Sequence, residues 1–173
     1  MHTPLTALVD VMQTALQTVG LPALFAVFVL KGALIGKIFP TSVFLPGYVI
    51  ATRVSLSEAV TIVLLVTVAH ILGQLVIYLG VRRYDRSFLE RLPYVEVDEQ
   101  SDRYRRLDQW FDRYGGAAVF ATNVVPWSRG LIAIPAAVSS YSTARYTLHV
   151  STATLLYHAV YVGAAIAGVA LVV

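Results

Sequence analysis

The chain contains no cysteine. That absence excludes disulfides, zinc–thiolate sites and thiol catalysis, and leaves the compartment open. Charge is scarce too: 13% of the 173 residues are charged, against about 25% in an ordinary soluble domain. Hydrophobic residues make up 57% and mean hydropathy is +0.70. The chain therefore reads as an integral membrane protein, a single membrane domain over residues 1–173. Carboxylates are rarest where the chain is most apolar, for eight of the ten acidic residues fall within residues 82–113, leaving only Asp10 and Glu58 outside. A net charge of +3 is too small to argue for nucleic acid. The opening residues, MHTPLTALVD, lack a basic n-region, so no cleaved signal peptide is expected.

What is present divides into six stretches. Residues 5–19 place Leu5, Leu8, Val9, Met12, Leu16 and Val19 on one face, an amphipathic helix that lies either at the membrane surface or against the protein's own membrane domain. Residues 20–52 are apolar but punctuated by Pro22, Gly32, Gly36, Pro40, Pro46 and Gly47, with Lys31 and Lys37 inside. An interior proline costs a helix about 3 kcal/mol. The expected path is a re-entrant one, with a helix entering from Leu21, a break near Pro40 and a short return past Gly47. The two lysines either line a site or snorkel from helix ends.

Residues 55–82 form the first spanning helix, opened by Ser55 and Glu58 in a capping-box pattern. At about 1.5 Å per residue its length exceeds a bilayer core of about 30 Å. His70, Gln74 and Tyr78 recur every fourth position on it, a polar stripe that either lines a pathway or packs on another helix. Residues 83–115 carry the charges and a second amphipathic helix around Tyr104, Leu107, Trp110, Phe111 and Tyr114; the arginine count puts this loop on the cytoplasmic side. Residues 142–173 form the second spanning helix, with a row of Ser151, Thr154, His158 and Tyr161.

Between them, residues 117–138 hold NVVPWSRGLIAIPAA, from Asn123 to Ala137. Arg129, Pro126 and Pro135 share a segment otherwise apolar enough for lipid. An arginine at membrane depth costs several kcal/mol, of order 3 on insertion scales, and persists where it meets a cavity, a partner or a ligand. Broken backbone at that depth must be buried in protein or line water. This too reads as re-entrant. The chain thus repeats one plan: amphipathic segment, proline-broken segment, spanning helix, then the same three again, and paired breaks in two halves point to a transporter's site.

These motifs resemble those of the DedA family, also called VTT or SNARE-associated membrane proteins, from about Ala23 to Gly168. FPTSVFLPG, from Phe39 to Gly47, is similar to the family's proline-rich segment ending in Pro-Gly. GQLVIYLGVR, from Gly73 to Arg82, is similar to its Gly-Asp-x-x-x-Tyr run ending in arginine. NVVPWSR resembles its Arg-Phe-x-Pro-x-x-Arg motif, with Pro126 and Arg129 matching and Asn123 standing where the first arginine falls. The family's membrane-embedded acidic residues fall at Lys31, Tyr48 and Gln74 here.

The resemblance implies a transporter or scramblase that moves phospholipids or polyprenyl phosphates between leaflets. Arg129 would bind the phosphate with Pro126, Asn123, Lys31, Lys37, Pro46 and Gly47, and His70, Gln74, Tyr78 and His158 would line the cavity. With no embedded carboxylate, either downhill scrambling or a coupling residue such as His70 or His158 remains. Arg129 could instead cap the carbonyls of broken helices. Two other classes stay open: a non-transporting structural or recruiting protein that works through its charged loop, and an intramembrane lipid phosphatase using Ser128. No paired His-Asp motif supports the phosphatase, and His2, His70, His149 and His158 lack metal-ligand spacing, so no enzyme, cofactor or metal is expected. Membrane lipids are the expected partners, and a homodimer is compatible with the sequence.

Overall fold

The computed structural model describes residues 20–35, 41–52, 54–92, 98, 100–125 and 129–172. The expected helix over residues 5–19, together with Lys37, Pro40 and Pro126, lies outside the described residues. All regular structure among the described residues is helical: α1 (Gly20–Gly32), α2 (Thr41–Thr52), α3 (Leu56–Tyr84), α4 (Ser87–Glu90), α5 (Asp102–Tyr114), α6 (Gly116–Val124), α7 (Ala133–Val138) and α8 (Thr143–Val172).

Helix α3 starts where the capping pattern places it. The Ser55 hydroxyl accepts from the Glu58 amide at 3.3 Å, and the Ser55 amide donates to the Glu58 carboxylate at 2.7 Å. Arg82 and Arg83 occupy its last turn, where cations suit the carbonyl end of the helix dipole. One face of α3 is buried, through Ile62, Val66, Ala69, Gly73, Ile77 and Val81. The opposite face is just as apolar: Val60, Leu64, Val68, Leu72, Val76 and Leu79 are each about half exposed. A soluble helix turns polar residues outward, whereas a helix hydrophobic all round is suited to lipid. On α8 the exposed Leu148, Leu155, Leu156 and Val160 make the same point. Both helices are long and apolar enough to cross a membrane.

The two long helices run antiparallel. Gln74 of α3 meets Tyr146 of α8, while Thr67 meets His158, so position rises on one as it falls on the other. Two apolar cores flank this pair. One gathers the C-terminal half of α3 and the N-terminal half of α8 with α5, α6 and α7, through Ile77, Leu107, Phe111, Val119, Ile134 and Val150. The other gathers the remaining halves with α1 and α2, through Leu24, Phe28, Leu45, Val49, Ile62 and Val162.

Both proline-punctuated stretches are interrupted helices. In the first, α1 stops at Gly32 and Leu34 adopts φ +63°, a left-handed conformation that a branched side chain enters at a cost of about 1–2 kcal/mol. The expected return past Gly47 differs in detail: α2 runs unbroken from Thr41 to Thr52 with Pro46 inside it. A missing amide in mid-helix is tolerated where the neighbouring groups are re-satisfied, as in transmembrane helices. In the second, α6 ends at Val124 and α7 begins at Ala133, leaving Arg129 and Gly130 in the turn between.

In the charged stretch, α5 opens with the Ser101 hydroxyl accepting from the Tyr104 amide at 3.2 Å. It turns Tyr104, Leu107 and Phe111 inward and leaves Trp110 and Tyr114 exposed, the amphipathic pattern read from the sequence. Gly115, at φ +53°, reverses the chain into α6.

Candidate functional site

Three glycines let three backbones converge beside the middle of α3. A Cβ on Gly32 would collide with the His70 carbonyl, and one on Gly73 would collide with the Val29 carbonyl and lie 2.7 Å from the Ala33 amide. Helices α1 and α3 therefore cross backbone to backbone, as small residues permit in membrane bundles. Gly130, at φ +84°, sits so that a Cβ would lie 2.8 Å from Leu34 Cδ2. The break after α1 thus meets the break after α6.

This convergence brings Lys31, from the last turn of α1, and Arg129 within electrostatic reach of each other. His70 and His158 share that neighbourhood. His70 lies at the midpoint of the 29-residue α3 and His158 at that of the 30-residue α8. Their rings meet edge to face with centroids 5.8 Å apart, and Phe28 of α1 packs edge-on to both, at 6.5 Å and 5.3 Å. His158 Nδ1 shares a hydrogen bond of 3.0 Å with the Thr67 hydroxyl.

Arg129 stacks on an aromatic face, with its guanidinium carbon 3.7 Å from the Tyr157 ring centroid. Tyr161 stacks on Tyr157 in turn, centroids 4.3 Å apart. A desolvated cation–π pair of this kind contributes about 2 kcal/mol. All three guanidinium nitrogens are buried and find no hydrogen-bond partner among the described residues, so the cap on broken-helix carbonyls is not seen there. Both nitrogens of His70, Nε2 of His158, the Thr154 hydroxyl and the Tyr157 hydroxyl are likewise buried without a partner. Polar atoms inside a fold are nearly always paired, and a cluster of exceptions marks a place where something else supplies the partner. No carboxylate among the described residues balances the cations. Glu58 is exposed at the start of α3 and engaged with Ser55, while the other described acids lie in the charged stretch or at its edge.

Asn123, Gln74 and Tyr78 belong to a neighbouring, fully paired network. Gln74 Nε2 donates to Asn123 Oδ1 at 2.7 Å, Asn123 Nδ2 donates to the Val119 carbonyl at 2.8 Å, and the Tyr146 hydroxyl donates to Gln74 Oε1 at 3.2 Å. Tyr78 stacks on Tyr146 at 4.2 Å and its hydroxyl meets the Tyr141 carbonyl, to which Arg82 also donates at 2.6 Å. These bonds tie α3, α6 and α8 together just before the break that carries Arg129. Pro46 and Gly47 lie in α2 beside Leu45 and Val49 of the second core, and no described bond or ring contact joins them to Arg129.

The sequence reading missed Tyr157, Phe28, Thr67 and Tyr146. Tyr157 lies four positions before Tyr161 on one helix face, a spacing that core aromatics share. A cavity of about 680 Å³ opens elsewhere, between α5 and α6, lined by Arg106, Leu107, Trp110, Ala121, Thr122 and Val125. It does not include the cation cluster.

The VTT domain family matches residues 26–166. The chain is also similar to undecaprenyl phosphate transporter A of Staphylococcus aureus (strain NCTC 8325 / PS 47), 27% identical over 134 residues, which are 75% of this chain and 64% of that protein. It thus spans less than two thirds of that relative's length. No solved structure matches the chain. The matched stretch opens within α1 and closes within α8, taking in both breaks, the cation cluster and the Gln74–Asn123 tie, and on that coverage the chain belongs to the VTT domain family.

Proposed function

We propose that the protein is a membrane lipid transporter whose site binds the phosphate of a polyprenyl phosphate or phospholipid and carries it between leaflets. The observation that supports this reading is Arg129, a buried guanidinium oriented by Tyr157, near Lys31, with no carboxylate and no hydrogen-bond partner among the described residues. An uncompensated buried charge is unfavourable by several kcal/mol, of order 3–5. A phosphate would turn that cost into charge-assisted, bidentate hydrogen bonds, for which guanidinium geometry is suited. The name of the Staphylococcus relative adds weight on the side of a polyprenyl phosphate.

In this reading residues 20–52 and 117–138 are re-entrant halves of a repeated plan, and the site lies near the bilayer midplane where they meet. The protein is multi-pass in the cell membrane with residues 83–115 on the cytoplasmic side, transports by scrambling or coupled exchange, and has no enzymatic role. The head group sits at Arg129 while the tail stays in lipid, beside the apolar outer faces of α3 and α8.

The test is transport in liposomes, following a fluorescent prenyl phosphate and a fluorescent phospholipid between leaflets. Wild type, Arg129→Ala and Arg129→Lys are compared after size-exclusion and melting controls for folding. We expect a loss of at least tenfold in Arg129→Ala and a partial loss in Arg129→Lys, which keeps charge without the planar fork. Undiminished transport in a folded Arg129→Ala protein overturns the reading. Release of inorganic phosphate from the lipid would replace it with the phosphatase.

A further inference from the structure

Two buried histidines at the midpoint of the antiparallel pair are not needed to hold a phosphate. We propose that His70 and His158 form a proton-binding pair coupled to the anion site, so that a proton is taken up when the lipid phosphate enters and given up when it leaves. This rests on the phosphate-binding reading of Arg129.

The argument begins from geometry. The rings meet edge to face at 5.8 Å, walled by Phe28. Three of their four nitrogens, both of His70 and Nε2 of His158, are buried without a partner, and Thr67 holds the fourth. A histidine kept only for packing is normally anchored through its ring nitrogens; here His70 has no such anchor among the described residues.

The charges facing the pair come from every side. Lys31 is supplied by α1, Arg129 by the turn before α7, and Tyr157 and Tyr161 stand beside Arg129 on α8. Among its described side chains α2 carries no charge, and its Tyr48 lines a separate cavity with Glu58. The sequences of α6 and α7 hold no charged residue. Among the described residues the pair therefore faces cations and phenols, with no acid.

Adding a proton to either imidazole brings positive charge beside Arg129 and Lys31, whereas adding a phosphate brings negative charge to the same place. Each addition favours the other, and thermodynamic linkage makes the coupling reciprocal. The step is a proton transfer only: water on the side of entry gives one proton to an unpartnered imidazole nitrogen, and the imidazolium returns it to water after the phosphate has left. No bond of the lipid is made or broken.

The experiment adds farnesyl phosphate to the full-length protein in nanodiscs at low buffer strength near neutral pH, with a pH-indicating dye recording proton uptake and isothermal titration recording binding. Wild type is compared with His70→Gln, His158→Asn and the double variant. We expect wild type to take up about one proton more per bound lipid than the double variant. The lipid's own ionisation is the same in every arm. Equal uptake by a double variant that still binds overturns the coupling and leaves the binding reading intact, whereas absence of binding by wild type overturns both. Ring-nitrogen NMR on ¹⁵N-histidine protein with His2 and His149 replaced by glutamine does not depend on the double variant folding. Movement of the remaining signals to imidazolium positions on lipid addition supports the proposal, and unchanged signals overturn it.

Discussion

The guanidinium carbon of Arg129 lies 3.7 Å from the centre of the Tyr157 ring, closer than any other described cation–aromatic pair in the molecule. The ring fixes the plane of the cation without consuming its donors. Tyr157→Leu is expected to reduce transport about tenfold, since losing a desolvated cation–π contact costs about 1–2 kcal/mol. Tyr157→Phe keeps the ring and is expected to stay within about threefold of wild type. Initial rates in liposomes, normalised to folded protein, distinguish the two; equal rates for both variants would remove Tyr157 from the site.

Gln74 and Asn123, read separately in the sequence as departures from a family pattern, touch each other at 2.7 Å. An aspartate and an arginine have been exchanged for two amides that keep the contact without the charges. Gln74→Asp alone places an unpaired carboxylate in the core, and Asn123→Arg alone an unpaired cation; each is expected to destabilise by about 3 kcal/mol or more. The double variant restores opposite charges and is expected to recover most of that loss. Melting temperatures in detergent form the cycle. Simple addition of the two losses would show that the residues do not act as a pair.

Gly73 and Gly47 provide opposite outcomes of one substitution. Gly73→Ala forces a methyl into the backbone of α1 and is expected to lower stability by about 1–3 kcal/mol. Gly47 lies in α2 with no atom within 4 Å of the place an alanine methyl would take, so Gly47→Ala is expected to stabilise by about 0.5–1 kcal/mol through helix propensity. Thermal unfolding monitored by tryptophan fluorescence separates the two signs.

Trp110 is exposed on α5 beside Tyr114, their rings 6.2 Å apart. If α5 lies in the headgroup layer, brominated lipids should quench Trp110 in a Trp127→Phe background, most strongly for bromines near the glycerol end of the chain. Quenching that is absent, or strongest at the chain terminus, would move α5 away from that layer.

Much of the frame was legible because it depends on local chemistry. Ser55 and Glu58 announce the start of α3, apolar runs give α3 and α8 their length, and an arginine amid apolar residues singles out Arg129 whatever surrounds it. Tyr157 was not legible, because an aromatic at helical spacing looks the same whether it fills a core or supports a cation. Lys31 and Arg129 are 98 positions apart; their meeting depends on Gly32, Gly73 and Gly130 allowing backbones to approach, and that is a property of the assembled fold. Pro46 misled in a smaller way, since the lost helix bond it implies is outweighed by the packing of α2 on α8.

The crossing at Gly32 and Gly73 has a mechanical consequence. Backbone rests on backbone there, with no flexible side chain between them to yield. Helix α1 can roll about that point but cannot slide along α3 without parting from it. Lys31 stands one residue from this fulcrum, so a small rotation turns it with little travel, while the far end of α1 sweeps a wider arc. The site stays nearly still as the surrounding halves tilt.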